Sequence, residues 1–315
     1  MKQSKWMAFV VVALSSAVAL ILLELLLRSS GLGYPILFYA NASYRYAPQP
    51  NQSQVRQRGA KVTIDSKGFR AVKDWTSPAD GKLLFIGDSI TWGGTYIDDE
   101  DTFAAGVCAR LEQATGRSFV CGNAGANEYG TDNMAERIRY KTVDDETAVI
   151  VTLFSGDTVR GLRGEDAAYI HTVPPLGPFK ALWEVIGYSI WRLNQIMRPI
   201  QHGGPNDIDR VVERSLQNLF AAIRETQRAG RQVLIVFSPV AVELNGHEIQ
   251  MTLLARRILE QSGLDVLDLH AAVSAAYTPD FYYDGVHLDR RGHRFYADQI
   301  AQRLLPGITG KKPLP

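Results

Sequence analysis

Two short stretches near opposite ends of the chain carry residue types that can do acyl-transfer chemistry together. The first is F-I-G-D-S-I-T-W-G-G, Phe85 to Gly94. It follows an apolar run and precedes a helical pattern, which puts Ser89 on a tight turn at a strand's carboxyl end. There its hydroxyl can face a cleft and its own backbone N–H can point at a developing oxyanion. Gly87 relieves crowding in such a turn, and the Asp88 side chain can hydrogen-bond nearby backbone to hold it. The second stretch is Y-Y-D-G-V-H-L-D-R-R-G-H, Tyr282 to His293. A serine attacking a carbonyl needs a base of near-neutral pKa, and that imidazole needs an orienting acceptor. His287 and Asp284, three residues apart on one loop, meet both needs. Either stretch alone is unspecific, since Gly-Asp-Ser turns and D-x-x-H loops are common. Their coincidence points to a Ser89–His287–Asp284 relay.

The elements between them decide whether the two stretches can meet. Lys82 to Ile86, Ser118 to Cys121, Ala148 to Phe154, Gln232 to Phe237 and Leu264 to Leu269 read as short buried strands. Helical patterns near Thr102 to Gln113, Asp132 to Tyr140, Ile208 to Arg228, Glu248 to Gln261 and Arg291 to Leu304 fill the gaps. Continuous apolar strands alternating with helices argue for a parallel sheet covered on both faces, with functional residues outside the strands' carboxyl ends. Residues 158–207 break the alternation. This stretch holds Trp183, Tyr188 and Trp191 and reads as an insertion with one helix over about Phe179 to Met197. Its aromatics suit either packing on the domain, lining a cleft or touching a bilayer.

Residues 6–27 form an apolar run with Glu24 as its only charge, long enough at about 1.5 Å per residue to cross a hydrocarbon core of roughly 30 Å. No small-x-small cleavage site closes the run, so residues 1–28 are expected to stay as an anchor rather than leave as a signal peptide. Lys2 and Lys5 favour a cytoplasmic N-terminus, which places the body outside the cytoplasmic membrane. Residues 29–80 read as a linker with a short hairpin or extended segment around Gly68, residues 81–307 as the main domain and 308–315 as a tail. Cys108 and Cys121, in that compartment, form either a disulfide or a pair of buried small apolar residues. With 34 Lys and Arg against 33 Asp and Glu, the charge balance gives no reason to expect nucleic acid as a partner.

With both motifs in hand, the chain resembles the SGNH/GDSL hydrolases over roughly residues 80–305. The N-terminal helix and the segment I-D-S-K-G-F-R, Ile64 to Arg70, resemble the membrane-anchored extracytoplasmic bacterial type. The resemblance implies a flavodoxin-like three-layer α/β/α fold with a five-stranded parallel sheet. It implies esterase, lipase, acyl-thioesterase or carbohydrate deacetylase chemistry without metal or organic cofactor, and with the triad and the anchor the leading expectation is hydrolysis of an O-acyl ester, of a cell-envelope glycan or a lipid. Two rival readings remain on the same fold: a polysaccharide O-acyltransferase, and a catalytically impaired glycan-binding protein.

The family draws oxyanion donors from the nucleophile's N–H, a Gly in its second motif and an Asn side chain in its third. Here Ser89 supplies the first. The second motif reads N-A-G-A-N-E-Y-G-T, Asn123 to Thr131, so the Gly falls at Glu128, or at Gly125 or Gly130 if the loop is shifted. The third, usually Gly-x-Asn-Asp, is here F-S-G-D, with Gly156 in place of Asn, followed by Asp157. An ionised Asp only accepts hydrogen bonds, and loss of one oxyanion donor costs on the order of 3–4 kcal/mol. Either Asn127 supplies the amide, or backbone N–H groups at Gly125 and Gly156 suffice, or the site is impaired. Arg160 and Arg163 flank the third motif and suit an anionic substrate group or simple solvation. His293 reads as surface or capping, His270 as helix start or core, Asp268 as structural. His171, His202 and His247 lack a carboxylate at metal-like spacing.

Overall fold

The computed structural model describes residues 2–164, 166–197, 205–244 and 249–309; His202 and His247 lie outside them. Helix α1, Lys2–Ser29, comes first and stands largely clear of the body. The following segment pairs β1, Phe38–Asn41, with β2, Arg45–Pro48, and β3, Gln52–Val55, with β4, Lys61–Ile64, both antiparallel. Then come β5, Gly81–Gly87, the single turn of helix α2, Ser89–Trp92, helix α3, Phe103–Thr115, and β6, Phe119–Asn123. Helix α4, Thr131–Arg139, leads to β7, Ala148–Leu153. Helices α5, Lys180–Met197, and α6, Pro205–Arg228, precede β8, Gln232–Phe237. Helix α7, Gln250–Gln261, β9, Val266–Asp268, α8, His270–Ala276, and α9, Arg290–Ile308, complete the chain.

Five strands form one parallel sheet in the order β6-β5-β7-β8-β9, the flavodoxin-like order that reverses beside its first strand. Alternation along each strand divides the core. Leu83, Phe85, Ile150 and Leu234 face a layer that includes α3, α8 and α9, while Leu84, Ile86, Val149 and Ile235 face α4, α6 and α7. Both faces are therefore covered and the strands read as unbroken apolar runs. This is the three-layer α/β/α fold expected from the sequence, and the reversal beside β5 opens a crevice where the Ser89 turn lies.

The 29–80 segment is more ordered than a linker reading suggests. It forms two hairpins, and Tyr46, Val62 and Ile64 are buried with Trp92, Ala126 and Tyr129 in a third core. Gly68, at φ 82°, makes the turn that returns the chain so that Arg70 pairs with Asn123 at the end of β6. Cys108 of α3 and Cys121 of β6 form a disulfide, with Cα atoms 6.0 Å apart, which resolves the alternatives left by the sequence. A cross-link over 13 positions limits the unfolded chain by about 3 kcal/mol. Replacing both cysteines by Ala is expected to lower the denaturant midpoint by an equivalent of about 2–3 kcal/mol. An unchanged midpoint in urea would remove this contribution.

Candidate active site

Ser89 sits where β5 ends and α2 begins, and local chemistry holds it there. A side chain at Gly87 would press into the Thr91 Oγ1 and the Thr152 carbonyl at 2.1 and 2.6 Å, so the turn needs glycine. Asp88 caps α2, its carboxylate accepting the Ile90 N–H at 2.8 Å. From the second loop, Asn123 donates its side-chain amide to the Thr91 carbonyl at 2.6 Å. The result is a nearly buried hydroxyl at the crevice floor.

The loop before α9 brings the other two groups. His287 Nε2 lies 2.8 Å from Ser89 Oγ, and His287 Nδ1 lies 2.7 Å from Asp284 Oδ2. With Nδ1 donating to the carboxylate, Nε2 is left to accept from the serine hydroxyl. Asp284 Oδ1 also accepts the Val286 and His287 backbone N–H groups at 3.1 and 2.9 Å. Partial burial pushes the Asp284 pKa upward, but these hydrogen bonds prevail and hold it below the usual carboxylate range. Asp284 is thus kept as an ionised acceptor. The Ser89 hydroxyl has a second neighbour in Asp88 Oδ2 at 3.4 Å.

The oxyanion side differs from the expectation at more than one position. Gly125 is not available as a donor, because its N–H is taken by Asn123 Oδ1 at 3.0 Å. Gly130 likewise gives its N–H to Asn133 Oδ1. Asn127 has its carbonyl held by the Tyr46 hydroxyl and lines an adjoining cavity. Glu128 takes up a left-handed backbone, φ 62°, the conformation for which a glycine would be chosen. Among the described residues, neither its N–H nor that of Ser89 has a hydrogen-bond acceptor. Glu128, at the position where the resemblance expects glycine, thus carries a side chain on a backbone of the glycine type.

In the third motif, a side chain at Gly156 would meet the Phe154 ring at 2.4 Å. The ring fills the room that an Asn side chain would take, and Phe154 itself stands at the family's Gly. The Arg160 guanidinium lies 5.1 Å from that ring. It also binds the Asp157 carboxylate at 2.5 Å, Asp88 Oδ2 at 3.3 Å and the Tyr129 carbonyl at 3.1 Å. Burial, then the neighbouring Asp88, raise the Asp157 pKa well above the ordinary range, against the Arg160 charge. Arg160 is thus a tie between buried carboxylates, a role that spacing alone does not reveal. Arg163 joins α4, exchanging backbone hydrogen bonds with the Asn133 side chain.

The other described histidines, His293, His270 and His171, stand outside the candidate triad. His293 is fully buried, which corrects its reading as a surface residue. Its Nδ1 accepts the Phe103 N–H at 3.1 Å, so it caps α3. His270 starts α8 with Nδ1 2.6 Å from Asp268. His171 packs against Tyr169 and lines a cavity of about 400 Å³ that also touches Trp92, Thr95, Asn127 and Tyr188. That cavity lies beside the candidate triad, none of whose members lines it.

The strand order, the Ser turn after the first sheet strand and the Asp-x-x-His loop before the last helix agree with the fold that the resemblance to the SGNH/GDSL hydrolases implies. No family sequence model matches the chain, and no curated protein matches it. Among solved structures it is similar to a putative lipolytic protein of the G-D-S-L family from Desulfitobacterium hafniense (13% identity, TM-score 0.43, 71% of this chain and 100% of that one). It is also similar to Axe2, an acetylxylan esterase from Geobacillus stearothermophilus (16%, 0.46, 72% and 94%). A lipase/acylhydrolase from Enterococcus faecalis gives 16%, 0.45, 75% and 99%. These likenesses are distant.

Two outcomes follow. Gly156→Asn alone is expected to lower the melting temperature, whereas Phe154→Gly/Gly156→Asn makes room for the amide and raises kcat/KM on p-nitrophenyl acetate about tenfold or more, against about 10²–10³ for a well-placed donor. A double variant no better than the parent would show that the amide does not reach the oxyanion. Separately, burial holds the His293 pKa down to about 3, against 6.5 in the open chain. The unfolded chain then binds the extra proton first, so this contribution is complete above pH 6.5 and is lost as pH falls toward 3. Up to about 5 kcal/mol is at stake. Urea titrations should show a shallower pH dependence over that window in His293→Gln than in the parent.

Proposed function

We propose that the chain is a membrane-anchored ester hydrolase of the SGNH type, acting on an O-acyl ester of a cell-envelope glycan or lipid. The observation that carries this reading is the unbroken hydrogen-bonded line from Ser89 Oγ through the His287 ring to Asp284. In the proposed reaction Ser89 Oγ attacks the acyl carbon as its proton passes to His287 Nε2, and Asp284 stabilises the imidazolium. The Ser89 and Glu128 N–H groups take the oxyanion. Collapse of the tetrahedral intermediate expels the alcohol, which receives the proton from His287. Water, activated by the same imidazole, then releases the acid from the acyl-serine.

The anchor reading is supported by α1, whose most apolar 18-residue window has a mean hydropathy of 2.7 and is almost wholly exposed, unlike a core helix. Its outer end is also part of the folded body. Glu24 accepts the Ala181 and Leu182 N–H groups at 3.0 and 2.9 Å, and Arg28 donates to the Pro178 carbonyl at 2.6 Å. A signal sequence removed near its end would strip these contacts. The reading holds the body outside the cytoplasmic membrane, with Lys2 and Lys5 on the inner side.

The test is turnover of p-nitrophenyl acetate by the detergent-solubilised full chain. Ser89→Ala and His287→Ala are expected to lose about 10³-fold or more, and Asp284→Asn about 10²–10⁴-fold. Ser89→Ala at the parent rate would end the hydrolase reading. Adding an oligosaccharide acceptor separates hydrolysis from transfer: free acid as the sole product supports the former, an acylated sugar the latter.

A further inference from the structure

Helix α5 has two unlike sides. Ala181 and Glu184 are buried against the body, and Tyr188 and Trp191 pack on Tyr169. Glu184 accepts the Gly33 N–H at 2.6 Å and pairs with Arg56, both partners buried. On the other side Trp183, Ile186, Ile190, Leu193 and Met197 are all exposed. Their spacing of three, four, three and four residues lines them along one stripe. No segment among the described residues covers this stripe, and it is too long to be the scattered exposure normal for a soluble surface.

What covers it is indicated by where α5 starts. Its first N–H groups are capped by Glu24 of α1, which lies within the apolar run, four residues and roughly 6 Å before Arg28. The helix start is therefore fixed at the depth of the headgroup boundary. The flanking chemistry is interfacial too: the Tyr34 ring carries Lys180 Nζ at 5.1 Å and the Arg28 guanidinium at 5.8 Å, an aromatic with basic neighbours of the kind found at membrane surfaces.

We infer that α5 is a second membrane element, lying in the plane of the bilayer with its Trp183–Met197 stripe among the outer headgroups and upper acyl chains. This rests on α1 crossing that bilayer. Its apolar face then has a solvent that matches it, and the body is held by two contacts in place of a single flexible stalk. Because Glu184, Val185 and Tyr188 also line the cavity beside Trp92, Thr95 and Asn127, the same contact sets that cavity's outer wall against lipid.

The full chain, reconstituted in phosphatidylethanolamine/phosphatidylglycerol vesicles, tests this with a polarity-sensitive dye on single introduced cysteines. Ile190→Cys, at a position 55% exposed, is expected to report an apolar setting and to be quenched by lipids carrying a nitroxide near the headgroup. Asp144→Cys, before β7 at the amino end of the parallel sheet, is expected to stay aqueous, and Leu14→Cys to be quenched by a nitroxide deep in the chains. Ile190→Cys behaving like Asp144→Cys while Leu14→Cys is quenched overturns the inference and leaves the anchor standing. An unquenched Leu14→Cys removes the anchor reading and the inference with it.

Discussion

The guanidinium of Arg70 is the interaction on which the candidate site's floor is assembled. It is fully buried, paired with Asp99 at 2.9 Å, and donates to the Trp92 and Gly94 carbonyls at 2.9 and 2.6 Å and to the Ile97 carbonyl. Those carbonyls belong to the chain that leaves the nucleophile turn. A charge so deep is costly unless every donor is used, and here the fork reaches Asp99 and three carbonyls. Its value is positional, since a hydrophobic replacement can match such a pair in stability but cannot direct three carbonyls. Arg70 also exchanges backbone hydrogen bonds with Asn123 at 2.9 and 3.0 Å, and Asn123 in turn holds α2. One residue of the N-terminal segment thereby ties the first two loops of the site together.

Around the Ser89 turn the same logic recurs with the signs reversed. Asp88 and Asp157 are both buried and share Arg160. One cation cannot fully offset two carboxylates in a poorly solvated place, so the more deeply burdened acid, Asp157, is pushed toward its neutral form. Each acid also accepts one backbone N–H, Asp88 from Ile90 at the start of α2 and Asp157 from Phe154. The arrangement fixes the third loop against the first without an amide at position 156. Its cost is a dependence on Arg160, whose loss would leave two adjacent acids without a counter-charge.

The sheet was legible because each of its strands is a local apolar run, and the Ser89 and Asp284–His287 stretches because their identities are local too. What escaped was decided by contacts across the chain. The β1–β2 and β3–β4 hairpins are built of four-residue strands with polar residues interspersed, and their buried faces owe their cover to Trp92 and Tyr129, far away in sequence. His293 sits amid charged residues, and only the packing of α9 on α3 shows it to be a buried cap. The availability of Glu128 and the unavailability of Gly125 turn on a single φ angle and on one Asn123 oxygen. Composition carries no trace of either.

The left-handed backbone at Glu128 asks for a restraint, because a side chain there is unfavourable by about 1–2 kcal/mol. The restraint comes from both flanks. The Tyr46 hydroxyl donates to the Asn127 carbonyl just before it, and the Tyr129 hydroxyl just after it donates to the Tyr46 carbonyl. The two rings stand edge to face, 5.1 Å apart, and burial raises both phenol pKa values, so each hydroxyl stays a donor. A hairpin outside the parallel sheet therefore holds the loop in a shape that glycine would adopt unaided. With the conformation over-determined in this way, position 128 is released from glycine, and its carboxylate lies 3.7 Å from Arg160. The N-terminal segment thus acts as a brace for the proposed oxyanion donor, which explains how the chain can depart from the family pattern at that position and still keep the N–H in place.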